Sequence, residues 1–88
     1  MKFDRKIKMI SVEAELLYAV GDVRVAKPRA YKDIKRVKLG SLVYFDDQPL
    51  GRVIDIIGPV KRPYIVIKPL RPMRVDDVYG IKVRVVGR

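Results

Sequence analysis

Two short runs of β-branched residues constrain this chain more than anything else in it. Residues 52–57 (RVIDII) stand between Gly51 and Gly58, and residues 64–68 (YIVIK) stand between Pro63 and Pro69. Val and Ile are stiff at χ1 and pack best on a pleated surface, so both runs read as strands. Neither reaches the length of an ordinary helix, and glycine and proline punctuate both ends. The same pattern recurs along the chain. Residues 42–45 (LVYF) form a strand, and Asp46, Asp47, Gln48 and Pro49 make the turn into residues 51–57. Residues 81–86 (IKVRVV) alternate apolar with basic side chains. Residues 23–25 (VRV) alternate behind the turn signal Gly21-Asp22.

Residues 12–20 (VEAELLYAV) admit two readings. Leu16, Tyr18 and Val20 alternate with Glu15, Leu17 and Ala19, which suits a strand, while the EAELL core suits one or two helical turns. A hairpin around Gly21 favours the strand. Residues 27–40 are loop-like: Pro28 removes a ladder donor, and half of the fourteen residues are charged. The basic residues 1–9 form a frayed start, and Pro69, Pro72 and Gly80 punctuate a loop before the last strand. About six short strands in one domain of 88 residues predict an all-β fold. The expected form is a small six-stranded antiparallel barrel, closed or nearly closed, since closure removes exposed strand edges. Such a short chain buries only about 60% of its unfolded surface, so its core is thin.

Both faces of the two defining runs are apolar. Strict alternation groups Ile54 with Ile56, and Val53 with Asp55 and Ile57. It likewise sets Ile65 and Ile67 against Tyr64 and Val66. A barrel needs only its inner face apolar, so the surplus points to a partner or to a covering loop.

Chemistry is restricted by what the chain lacks. It has no Cys and no His, which excludes disulfides, thiol chemistry and Cys/His metal sites and removes the usual proton shuttle. It has no Asn and a single Gln, Gln48, which together with abundant Lys and Arg suggests a thermophile. Asp55 has no second acid or base in a catalytic pattern. Glu13 and Glu15 read as a solvated face, and Asp76-Asp77 as turn chemistry. No metal and no cofactor is expected. The net charge of +10 points instead to an acidic partner, most simply nucleic acid. Lys32, Lys35, Arg36 and Lys38 form a basic cluster beside Tyr31. It either touches RNA phosphates or is a solvated basic loop.

One stretch carries more information. Residues 50–69 read LGRVIDIIGPVKRPYIVIKP. This segment resembles the Gar family, the small subunit of H/ACA ribonucleoprotein particles. The family signature looks like Gly-x-Val-x-Asp, two hydrophobic residues, Gly-Pro-Val, two basic or polar residues and Pro-Tyr, then a hydrophobic strand ending Lys-Pro. The chain matches it at Gly51, Val53, Asp55, Gly58, Pro59, Val60, Pro63, Tyr64, Lys68 and Pro69. Leu39-Gly40-Ser41 and Val43-Tyr44 add to the likeness, which covers residues 39–69. Ile57 stands where the family often has Phe. Gly-x-Val-x-Asp alone is common among small barrels; Gly-Pro-Val-x-x-Pro-Tyr followed by a strand and Lys-Pro is far more restrictive.

The resemblance implies a translation-factor-like barrel that is not itself an enzyme. It implies docking on the dyskerin-like catalytic subunit of a guide-RNA pseudouridine synthase, with guide RNA and rRNA in the same particle. It further implies help with substrate loading and product release. The Gly/Arg-rich flanks of eukaryotic members are absent, which suggests an archaeal, cytoplasmic protein. Ile57, Gly58, Pro59, Val60, Pro63 and Tyr64 are the expected partner-binding residues. The residues alone agree: two prolines stiffen the loop, and a preordered loop loses less entropy on docking. They also fit a plain tight turn, with Tyr64 as rim packing. Two rival classes are a direct RNA-binding barrel, such as a ribosome-assembly factor or ribosomal protein, and a nuclease-like enzyme fragment. The charge fits the first equally well, and the missing His and Cys count against the second.

Overall fold

The computed structural model describes residues 10–71 and 80–87. They form six strands: β1 (Ile10–Val20), β2 (Val23–Pro28), β3 (Leu42–Phe45), β4 (Gln48–Ile57), β5 (Tyr64–Pro69) and β6 (Lys82–Gly87). The strands close into an antiparallel barrel in the order β1-β2-β5-β4-β3-β6, with β6 returning to pair with β1. The barrel expected from the spacing of short β-branched runs is therefore the fold. A 3-10 helical turn, Tyr31–Arg36, is the one helical element among the described residues. Residues 1–9, read as a frayed start, and 72–79, with Pro72 and Asp76-Asp77, lie outside the described residues.

The core follows from the period of two along each strand. Val12, Ala14 and Leu16 of β1 face inward with Val83 and Val85 of β6. Val43 of β3, Val53 of β4, and Ile65 and Ile67 of β5 complete the interior. Ala26 sits opposite Leu16, where its small side chain leaves room for the leucine; both are fully buried. Ile34 and Val37 from the 3-10 turn pack onto the same cluster and close the barrel mouth where β2 ends and β3 begins.

Three local expectations are corrected. Only Asp46 and Asp47 form the β3–β4 turn; Asp46 takes a left-handed φ of 55°, which Asp tolerates, and β4 starts at Gln48. Pro49 lies inside β4 next to a bulge that leaves Leu50 without an opposite residue, a place where a missing N–H is harmless. The loop-like residues 27–40 contain the end of β2 and the 3-10 turn.

The third correction concerns the faces. A bulge between Leu16 and Tyr18 inserts Leu17, and another between Val53 and Asp55 inserts Ile54. Each bulge adds one residue and flips everything after it to the other side. Leu16 therefore points into the core, while Tyr18 and Val20 point out and are 42% and 56% exposed. Ile54 is exposed, and Ile56 packs against the core opposite Ile65. Strict alternation had placed Leu16 with Tyr18 and Val20, and Ile54 with Ile56.

The β4–β5 pair is also unusually close at Gly51. A Cβ built there would stand 2.4 Å from the backbone oxygen of Lys68 and 3.0 Å from Ile67 Cγ2. Backbone cannot swing aside as a flexible side chain can. Gly51→Ala should destabilise the barrel by about 1–3 kcal/mol through overpacking, and Leu16→Ala by about 2–5 kcal/mol through a cavity. Equilibrium denaturation of both variants checks this; an unchanged midpoint for either would remove that residue from the packing account.

Candidate docking surface

The β4–β5 connection is built as a stiff projection. Gly58 takes φ +95°, which its missing Cβ permits, and turns the chain out of β4. Pro59 accepts a hydrogen bond from the Arg62 N–H at 3.0 Å, closing a turn with Val60 and Lys61 at its tip. Val60 is 95% exposed, an extreme value for a valine in a folded domain. Pro63 is buried at the base of the loop. Of the expected set it is the one buried residue; Ile57, Gly58, Pro59 and Val60 are exposed and Tyr64 is half-buried. Ile57 and Tyr64 form the pair that opens the loop, with Ile57 exposed and Tyr64 half-buried. The Tyr64 ring lies over Gly58: a Cβ there would meet Cδ2 at 3.1 Å and the Arg62 carbonyl oxygen at 3.2 Å.

The apolar surface extends beyond the loop. Val25 and Val66 oppose each other and face away from the core, since their neighbours Ala26 and Ile65 face into it. Both are buried nonetheless, and neither belongs to the core cluster. Tyr18 pairs with Val25, and Asp55, next to the exposed Ile54, pairs with Val66. Tyr18, Val25, Val66 and Ile54 therefore form an outward apolar strip beside Tyr64 and Ile57, of which only its ends, Tyr18 and Ile54, are solvent-exposed. Sequence reasoning found the surplus of apolar residues but not this strip. The outward turn of its member Tyr18 depends on the β1 bulge, which only pairing reveals.

Polar groups at this site serve the backbone. Asp55, exposed, accepts the Ile56 N–H at 2.8 Å just after the bulge, where the ladder is interrupted. Lys68 donates to Asp22 at 3.1 Å across β5 and the β1–β2 turn. That bond, with the ammonium charge, holds the fully exposed Asp22 carboxyl below its usual range. The small contribution is present at neutral pH and fades as the pH falls through the lowered value.

The opposite wall differs. Glu13, Glu15, Lys27, Arg29, Tyr44 and Arg84 line an open groove of about 670 Å³. Arg29 and Glu13 pair at 2.7 Å, and Arg84 stacks over Tyr44 while donating to the Asp46 carbonyl oxygen. Acidic and basic side chains are mixed along it. Among the described residues, no group of three acidic side chains is placed to hold a metal ion.

The expected basic residues Lys32, Lys35, Arg36 and Lys38 are all exposed, on or just after the 3-10 turn.

Comparison with known proteins adds little to this surface. An uncharacterized protein of Methanocaldococcus jannaschii is 47% identical over 36 residues, a stretch that spans 41% of this chain and 44% of that protein. No family model matches the chain, and no solved structure matches it.

The loop's shape and the fold are separable by mutation. Gly58→Ala forces a side chain into the left-handed region and against the Tyr64 ring, and should cost about 1–3 kcal/mol. Val60→Ala, at the solvated tip, should stay within about 0.5 kcal/mol of wild type. Thermal or urea unfolding of the two variants tests the contrast; comparable losses in both would mean that Val60 is part of the packed structure.

Proposed function

We propose that this chain is a non-catalytic protein subunit of an H/ACA-type, RNA-guided pseudouridylation particle. It docks on the dyskerin-like catalytic subunit through the loop at the β4–β5 connection. In that role it assists substrate RNA loading and product release during rRNA modification and ribosome biogenesis, in the cytoplasm of an archaeal cell. Guide RNA and rRNA are then neighbours within the particle.

The observation that carries this reading is Val60. A valine 95% exposed at the tip of a loop held by Gly58, Pro59 and a buried Pro63 is poorly placed for a monomer. It is well placed for insertion into an apolar pocket, because the loop has little entropy left to lose. Exposed Ile57, Tyr18 and Ile54 and half-buried Tyr64 add apolar area on the same wall, which suits the surround of a hot spot. The likeness of residues 50–69 to the Gar signature supplies the partner. The net charge of +10 suits a particle containing RNA.

Val60→Asp puts an unpaired charge into a patch that docking would desolvate. Binding to the catalytic subunit, measured by calorimetry, should weaken by about 2–4 kcal/mol while the barrel stays folded. Because the proposed role is in loading and release, multiple-turnover pseudouridylation should fall and the single-turnover rate should hold. A folded Val60→Asp chain that binds as tightly as wild type would show that the loop is not the interface. Turnover unaffected by omitting the chain altogether would rule out the accessory role.

A further inference from the structure

We infer that the solvent face of the 3-10 turn is a contact surface for the phosphate backbone of RNA, separate from the docking loop but at the same end of the barrel. In a 3-10 helix, side chains three apart lie one above the other. That period sorts Tyr31–Arg36 and its flank into distinct rows. Tyr31, Ile34 and Val37 form the inward row: Ile34 and Val37 join the core cluster and Tyr31 is half-buried. Lys32 and Lys35 form the outward row, with Arg36 beside them and Lys38 just past the cap at Val37; all four are exposed. None of the four forms an ion pair with a described residue. Asp33 is the single acid within the turn.

The apolar anchors hold these cations on a fixed scaffold. Lys38 is positioned further, because its N–H meets Ser41 Oγ and the following Gly40 N–H and Ser41 carbonyl pair with Val53 of β4. Arg52 donates to the Gly40 carbonyl oxygen and brings a fifth cation alongside. Lysine is depleted at protein–protein interfaces, and this row has one exposed apolar neighbour, Leu39. Phosphate is the better match: it needs point charges along a line and no pocket. The described part of this surface offers no exposed aromatic for base stacking, so binding is independent of sequence.

Topology gives the row its meaning. β2 runs antiparallel to β5 with Ala26 opposite Ile65, so the exit of β2 into the 3-10 turn lies beside the entry of β5 from the docking loop. A macromolecule held by the loop and an RNA strand held by the row would meet at one end of the molecule.

The test uses the full chain and an unstructured single-stranded oligouridine, followed by fluorescence anisotropy across a salt series. Four phosphate contacts on a single strand contribute a log–log salt slope of about −3, or a fifty-fold or so loss of affinity between about 50 and about 200 mM salt. One variant carries Lys32→Gln, Lys35→Gln, Arg36→Gln and Lys38→Gln; a control carries Lys27→Gln, Lys68→Gln, Arg71→Gln and Lys82→Gln. Each removes four positive charges. The row variant should lose about three units of slope and the control less than about one. Equal losses would mean that diffuse charge attracts the RNA, and no binding by wild type at the low-salt end would also overturn the inference. Polyglutamate competing with RNA at equal charge and with the same slope would reassign the row to an acidic protein surface. Should the row variant unfold by circular dichroism, Lys32→Gln and Lys35→Gln singly decide, each lowering the slope by about 0.7. The docking reading is tested on another surface, so either result leaves it standing.

Discussion

Closure of the sheet is the constraint on which everything else in this protein depends. β6 pairs with β1 on one side and β3 on the other, so each strand has a neighbour on both sides along part of its length. A chain of 88 residues has little apolar area with which to offset unpaired backbone groups. Closure leaves only short edges, such as residues 55–57 of β4, which pair with β5 alone. Recognition is left to the outer walls and to the connections at the two ends.

Closing so small a barrel from straight, strictly alternating strands is not possible without local bends, and the bulges at Leu17 and Ile54 provide them. They sit on β1 and β4, which flank the β2–β5 pair, and each reverses the inside–outside sense of its strand. The barrel thereby brings Ile56 to its interior and turns Tyr18 and Val20 outward. A device that closes the fold also assembles the apolar strip next to the 58–63 loop. The wall formed by β1, β6 and β3 keeps its register at the same level and carries Glu13, Glu15, Lys82 and Arg84 outward instead.

Charge is divided as unevenly as apolar area. On the wall lined by Glu13 and Arg84 both signs of charge are present and Arg29 pairs with Glu13, and Lys68 pairs with Asp22 near the β1–β2 turn. The surplus that makes the chain +10 includes the cations on the 3-10 turn, where Asp33 is the one acid. An even spread would give the general stickiness of a basic protein. Concentration on an element braced by Ile34 and Val37 gives a defined surface.

The sequence by itself determined the fold class and the location of most strands. β-Branched runs bounded by glycine and proline have few alternatives: the period of two is local, and Gly58 and Pro59 break a strand by their own backbone limits. It also marked the 58–63 loop, because a glycine and two prolines around Val60 are legible in a line of text. Three things were decided only by tertiary structure. The bulges arise from what lies across the ladder, so the outward placement of Tyr18 and the inward one of Ile56 could not follow from alternation along one strand. Pro63 looks like any loop proline until the packed barrel buries it. The basic turn and the 58–63 loop are more than twenty residues apart in the chain, and they share an end of the barrel because β2 pairs with β5, a non-local contact that no local preference encodes.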